Sequence, residues 1–273
     1  MNPSVTLLAH TPNPTRVMGL AARICYVQGM SIEKLNDNMT DEACEKLVKK
    51  ILSNKHMGVL EHPFFTFGIE GISRDFLQQL ARHRHTSLDV QSMHYTIAKD
   101  GFEMAMPANM SEEDKQEWQE VRDRSFNLYK GLISKGVPRE TARHIIPGGM
   151  ETKLLASACL RQWMRFVELR ACPVNVPEAI TVAHKIKNHL TDLMPYLKEY
   201  LGPPCIAGNC FEGKRYCGAP WKLPCRITGD GLDKLVTTKE EAKWNPLKKC
   251  IACGGMSHGG LPCPKTVVMA GPC

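Results

Sequence analysis

The chain has 273 residues, 43% hydrophobic and 23% charged, an ordinary balance for a globular protein built as one large domain or a domain with an appendage. Thirty-five Lys and Arg against 28 Asp and Glu leave a net charge of +7, which favours anionic partners such as phosphates or nucleic acid and is silent on fold. No segment approaches the roughly 20 apolar residues that span a bilayer, and residues 1–14 lack the basic-then-apolar order of a signal peptide, so no membrane association and a cytoplasmic location are expected.

In chain order, Thr40 is placed to cap a helix over residues 41–55, where Ala43, Leu47 and Ile51 lie beside Cys44, Val48 and Leu52 on one stripe. Phe65, Phe67 and Ile69 alternate with Thr66, Gly68 and Glu70 as in a strand, and read as core rather than as a stacking platform. Ser73 opens a helix through Leu77, Leu80 and Ala81 into Arg82-His83-Arg84. Ser111, spaced from Asp114 as in a capping box, starts a long helix that Gly136 ends. Residues 152–170 read as one further helix with Leu155, Cys159, Trp163, Phe166 and Val167 inward. Pro177 suits the first position of a last core helix through Ile180, Ala183, Ile186, Leu190 and Leu193, which Pro195 kinks or breaks. The class is α/β or α+β with more helix than strand. Gly202-Pro203-Pro204 marks a boundary between a domain over residues 1–202 and a Cys-rich tail over residues 203–273.

The segment from Glu61 to Tyr95 carries the strongest chemical signal. Arg82, His83 and Arg84 follow one another at a helix end and face different directions, so they cannot all serve one ion pair. Guanidinium groups present planar forks that suit phosphate and carboxylate, and Ser92 beyond can add a neutral donor. A helix C-terminus also attracts basic residues through its carbonyls and dipole, so spacing alone leaves both accounts open.

Arg-His-Arg, seven residues, then Ser resembles the signature of the flavin-dependent thymidylate synthases. Further blocks fall in that family's order: Ala22-Arg23 with Cys25-Tyr26, His56 ahead of Leu60-Glu61-His62, Phe65-Thr66-Phe67, Gly136 to Arg143, Ile146-Pro147, Arg161, and Phe166 to Arg170. The similarity covers roughly residues 4 to 200. It implies an α/β subunit with a central sheet, assembled as a homotetramer whose sites are shared between subunits. It also implies a methyltransferase that takes a one-carbon unit from methylenetetrahydrofolate to C5 of dUMP, giving dTMP, with FAD as cofactor and NADPH as reductant. No enzyme nucleophile attacks the pyrimidine in that family. By the same resemblance His56, Arg82, His83 and Arg84 hold FAD, while Gln79, Arg82, Gln91, Ser92, His94 and Arg161 line the nucleotide site, with Ser92 and Arg161 nearest the chemistry.

Departures cluster around the nucleotide. His94 stands where the family has a phosphate-binding Arg, Asp89 where Asn or Ser is usual, and Val90 where Glu or Gln is usual. Gly148-Gly149 and Cys159-Leu160 each replace Asn-Ala, Asn175 to Ile180 is a degenerate Ala-Gln-x-Glu-Ile block, and Asn188 aligns with an Arg. Either compensating residues such as Arg165 retain dUMP, or the site has moved to another pyrimidine nucleotide such as dCMP, or to another outcome such as hydroxymethylation.

Of 12 cysteines, four precede residue 200 and eight follow it. Cys250-x-x-Cys253, with Cys263 and Cys225, has the spacing of a structural zinc site; free thiols and an iron–sulfur cluster are the alternatives. Cys205 to Gly218 matches a tail found in some members of the family. Cys159 and Cys172 read as core residues. A zinc-containing nucleic-acid-binding protein is the competing class, but the tail has no stripe of Lys and Arg interleaved with aromatics. One expectation follows for His94, whose other reading is a neutral loop histidine. If it replaces the phosphate arginine it is charged only near or below about pH 6.5. Nucleotide affinity then weakens between about pH 6 and 8, and a flat affinity by titration removes His94 from the phosphate site.

Overall fold

The computed structural model describes residues 3–93, 103–106, 110–207, 210–215 and 217. Four strands, β1 (Ser4–His10), β2 (Phe64–Ser73), β3 (Ser87–Val90) and β4 (Glu151–Cys159), form an antiparallel sheet in the order β1-β2-β4-β3. The alternation in β2 sends Phe65, Phe67 and Ile69 to one face, where they are fully buried. Leu154, Ala156 and Ala158 of β4 continue that face. Full burial of each large apolar side chain contributes about 1.5–3 kcal/mol. Among the described residues the opposite face stays open: Leu8, Phe64 and Leu155 are 54%, 55% and 45% exposed.

Helices cover the apolar face. They are α1 (Pro14–Ile24), α2 (Ile32–Asn38), α3 (Asp41–Ser53), α4 (Arg74–Ala81), α5 (Glu112–Ser134), α6 (Arg139–Ala142), α7 (Leu160–Arg170) and α8 (Pro177–Leu193). Trp163 of α7 donates its indole N–H to the Phe65 carbonyl at 3.1 Å and stands edge-on to Phe67 with ring centres 5.0 Å apart. The aromatic strand is thus core, as its pattern predicts. α8 is buried nearly all round, through Ala179, Ile180, Ala183, Ile186 and Leu190. It ends at Leu193, and Pro195 opens a separate 3-10 turn.

Local chemistry sets the other expected helix ends. Thr40 accepts from the Ala43 amide and starts α3, whose buried stripe narrows to Cys44, Val48 and Leu52. Ser73 caps α4, and Ser111 with Asp114 forms a full capping box at α5. Gly136 follows α5 at φ 81°, a left-handed conformation that favours glycine. α5 and α6 build a second, smaller core around Tyr129, Ala142, Met93, Met104 and Met150.

Residues 152–170 are not one helix. They are most of β4 followed by α7, and Cys159 is the half-buried strand end that precedes the first helical residue. Thr152, Leu154, Ala156 and Ala158 are buried, with Lys153 and Leu155 exposed between them, so a period of two governs. Leu and Ala favour helix intrinsically, and Leu155, Cys159 and Trp163 also fit a helical stripe. Pairing with β2 overrides that preference.

Leu201, next to the expected boundary, is fully buried in the main core. Cys225, Cys250, Cys253 and Cys263 lie outside the described residues, as does His94. Among the described residues no helix is long and apolar enough to cross a membrane.

The closest helix contact supplies a stability test. A Cβ on Gly19 of α1 would lie 2.5 Å from Cys44 Cβ and 2.7 Å from its Cα on α3. Gly19→Ala must push the two helices apart and lowers unfolding free energy by about 1–3 kcal/mol, read from urea midpoints. Gly131→Ala on α5, where a Cβ meets nothing within 4 Å, leaves stability unchanged or raises it by up to about 1 kcal/mol.

Candidate functional site

The Arg-His-Arg segment leaves the C-terminal end of α4, with Arg82 as the cap residue. Because successive side chains there diverge, Arg82 and Arg84 are exposed and His83 between them is only 7% exposed. His83 meets the ring of Phe166 edge-on at 5.0 Å. Arg170, the last residue of α7, donates from Nε to His83 Nε2 at 3.2 Å. The same guanidinium donates from Nη1 to Gln79 Oε1 at 3.2 Å and to Asn175 Oδ1 at 3.4 Å, and from Nη2 to the Gln79 carbonyl. Burial, then the charges of Arg170 and Arg165, push the His83 pKa from 6.5 down to about 4, so the imidazole is neutral at pH 7.

Arg82 and Arg84 form no ion pair among the described residues. Two exposed guanidinium forks flanking a neutral, fixed imidazole fit the diphosphate of a dinucleotide such as FAD.

The other end of α7 carries Arg161, which donates to Glu61 Oε1 at 2.5 Å. His56 is exposed at the start of the 3-10 turn Met57–Glu61 that holds this glutamate. Nine residues of helix separate Arg161 from Arg170, about 14 Å along the axis. The fold therefore joins Gln79, His83 and Arg170 in one cluster and Glu61 with Arg161 in another, with His56 at the start of the turn that carries Glu61. Arg165, the suggested compensating cation, is paired with Glu168 at 2.6 Å on the surface.

Gln91 and Ser92 follow β3. The Gln91 amide donates to the Lys153 carbonyl, and its own carbonyl accepts from Arg74 Nη2 at 2.9 Å. Arg74 is a functional candidate that the sequence reading missed. Its Nε–H is buried with no acceptor among the described residues. Burial and the neighbouring charge of Arg143 both lower its pKa. A buried Nε–H without an acceptor among the described residues, with the charge of Arg143 near it, makes Arg74 a candidate for holding an anion beside the Gln91-Ser92 segment. The signal was present as Ser73-Arg74, but a basic first helical residue attracts no notice until folding buries part of it and brings the charge of Arg143 near.

Several departures have a physical reason. A Cβ on Gly148 would lie 2.2 Å from Asp75 Oδ1, and one on Gly149 would lie 3.1 Å from both Trp118 and Met104, so the glycine pair admits these neighbours. Asn175 keeps a role in the degenerate block through Arg170, and Glu178 accepts from the Ser73 amide at 2.7 Å, locking α8 to the start of α4. Val90 packs against the main core. Cys172 is buried and its thiol is pushed up to about 11, mainly by burial. Among the described residues no group of three or more His, Cys, Asp and Glu is placed to hold a metal.

The two buried imidazoles give the protein an acid limit. His83 and His184 both have pKa values pushed from 6.5 down to about 4, chiefly by burial. The unfolded chain takes up these protons first, so stability is full above pH 6.5 and is lost as pH falls toward 4. Each histidine accounts for up to about 3 kcal/mol at the acid end. Urea unfolding between pH 7 and 4.5 shows this loss, and His83→Gln or His184→Gln makes the dependence shallower.

The model of the family described as Thymidylate synthase complementing protein matches residues 6–196. The flavin-dependent thymidylate synthase of Geobacter sulfurreducens is 36% identical over 217 residues, covering 78% of this chain and 93% of that protein. That of Clostridium tetani is 31% identical over 236 residues, with 80% and 94% covered. That of Pyrococcus furiosus is 34% identical over 218 residues, with 76% and 89% covered. A family match spanning both the α4 cluster and Arg161, together with relatives aligned over nearly their whole length, places the chain in the flavin-dependent thymidylate synthase family.

Proposed function

We propose that this protein makes dTMP, moving a one-carbon unit from methylenetetrahydrofolate to C5 of dUMP. The observation that carries the reading is His83, neutral and held by Arg170, between the exposed Arg82 and Arg84, in a chain whose relatives are named for this reaction. When bound and reduced by NADPH, FAD would supply the hydride that passes to the pyrimidine ring. The protein contributes orientation and electrostatics.

Arg82 and Arg84 hold the FAD diphosphate, and His83 offers one fixed N–H. Arg74 and Arg143 hold the nucleotide phosphate, taking over the charge that an arginine at position 94 would bring. Gln91 and Ser92 lie beside them, and Gln79 and Arg161 orient the base. NADPH is the reductant. The sites complete themselves in a homotetramer: the open sheet face with Leu8, Phe64 and Leu155 supports association, and the roughly 14 Å between the ends of α7 supports a site shared between subunits. Zinc held by Cys225, Cys250, Cys253 and Cys263 stabilises the tail, which forms its own unit after residue 202.

Titration of the purified flavoprotein with dUMP, followed in the visible flavin band, gives a saturable perturbation. Arg74→Gln raises the dUMP Kd about tenfold or more, the loss of one charge-assisted contact. The same variant changes uridine binding, which lacks the phosphate, less than twofold. No perturbation by dUMP in FAD-loaded protein overturns the reading, and an unchanged dUMP Kd in Arg74→Gln removes Arg74 from the phosphate site.

A further inference from the structure

We propose that Arg170 is a positioning residue that holds His83 in a single tautomer, with the proton on Nδ1. The argument is one of donors and acceptors. A guanidinium carries five N–H donors and no acceptor. The 3.2 Å contact between Arg170 Nε and His83 Nε2 therefore requires a lone pair on Nε2, and the one proton of the neutral ring must sit on Nδ1.

The clamp is over-determined. Arg170 is fixed by Gln79 on α4, by Asn175 in the turn after α7, and by its place at the end of that helix. Its fork cannot swing to another acceptor without losing three other contacts. Phe166 closes the edge of the ring. The charged groups facing the imidazole, Arg170 and Arg165 on α7, are both positive, so a second proton is opposed. Arg82 and Arg84 beside it in sequence oppose one as well. The result is an imidazole that presents one N–H and no charge. That suits an acceptor atom on the cofactor, while the flanking arginines serve its phosphates. The functional half of this inference rests on the reading that His83 holds FAD, and the tautomer itself does not.

The test uses the full chain labelled with 15N-histidine, with the His83 signals assigned by their absence in His83→Gln. In the wild type, Nε2 resonates at the unprotonated position and Nδ1 at the protonated one, unchanged from about pH 8 to 5. In Arg170→Met, which removes every donor, and in Arg170→Gln, whose amide can donate or accept, the two signals move toward the averaged position of mixed tautomers. Their FAD Kd rises about tenfold and becomes dependent on pH between about 5 and 7, while the wild type stays flat. A proton on Nε2 in the wild type overturns the proposal even if neither variant folds. So does an Arg170→Met protein whose tautomer and FAD affinity match the wild type. Nδ1 protonation that disappears in the variants without any change in FAD affinity keeps the clamp and overturns its link to the cofactor.

Discussion

The contact on which most of the molecule depends is that of Trp163 with β2. Its ring stands against Phe67, and its N–H satisfies the Phe65 carbonyl, so one side chain joins the apolar face of the sheet to α7 in both shape and polarity. Everything at the site is then placed by where that helix begins and ends. Its first turn brings Arg161 to Glu61, and its last residue brings Arg170 under α4. A helix pinned near its start by a buried indole, and further along by the buried Phe166 and Val167, has little freedom to tilt, so the positions of its two arginines are linked through the core. Indole burial of this kind is costly to remove, about 3–5 kcal/mol for truncation to alanine.

How far the sequence could be read depended on whether a signal was local. Thr40, Ser73 and Ser111 each place a hydroxyl three residues before an amide that needs an acceptor, and all three helices start there. The alternation of Phe65, Phe67 and Ile69 is equally local, and it too holds. β4 failed the same test because its exposed alternate positions include Leu155 and its buried ones are mostly Ala and Leu. Its period of two is visible only once β2 is known to lie beside it. The edge strands β1 and β3 went unassigned for a related reason, being short and half-exposed.

At the site, the Arg-His-Arg segment was legible as a cluster, but the different fates of its three members were not. Composition cannot say that His83 is buried and neutral while its neighbours stay in water, because Arg170 and Phe166 come from a distant helix. Arg74 and Arg143 show the same limit from the other side. Each alone is an unremarkable surface cation, and only their proximity gives them meaning. The resemblance pointed to these residues by motif order; folding showed which of them are buried and which stay exposed.

Arg74 and Arg161 share a further property. Arg74 is the first residue of α4 and Arg161 the second of α7, the end of each helix where backbone amides point outward and the macrodipole is positive. A cation in the first turn opposes that field, at a cost of about 0.3–1 kcal/mol in exposed positions. Glu61 offsets this cost at Arg161, acting as a built-in counter-charge, whereas Arg74 lies within the field of another cation, Arg143. The two helix starts thus differ in kind: a counter-charge stands at one, and a like charge lies near the other. Each cation works against the field of its own helix, so an anion placed at either start would return some of that cost.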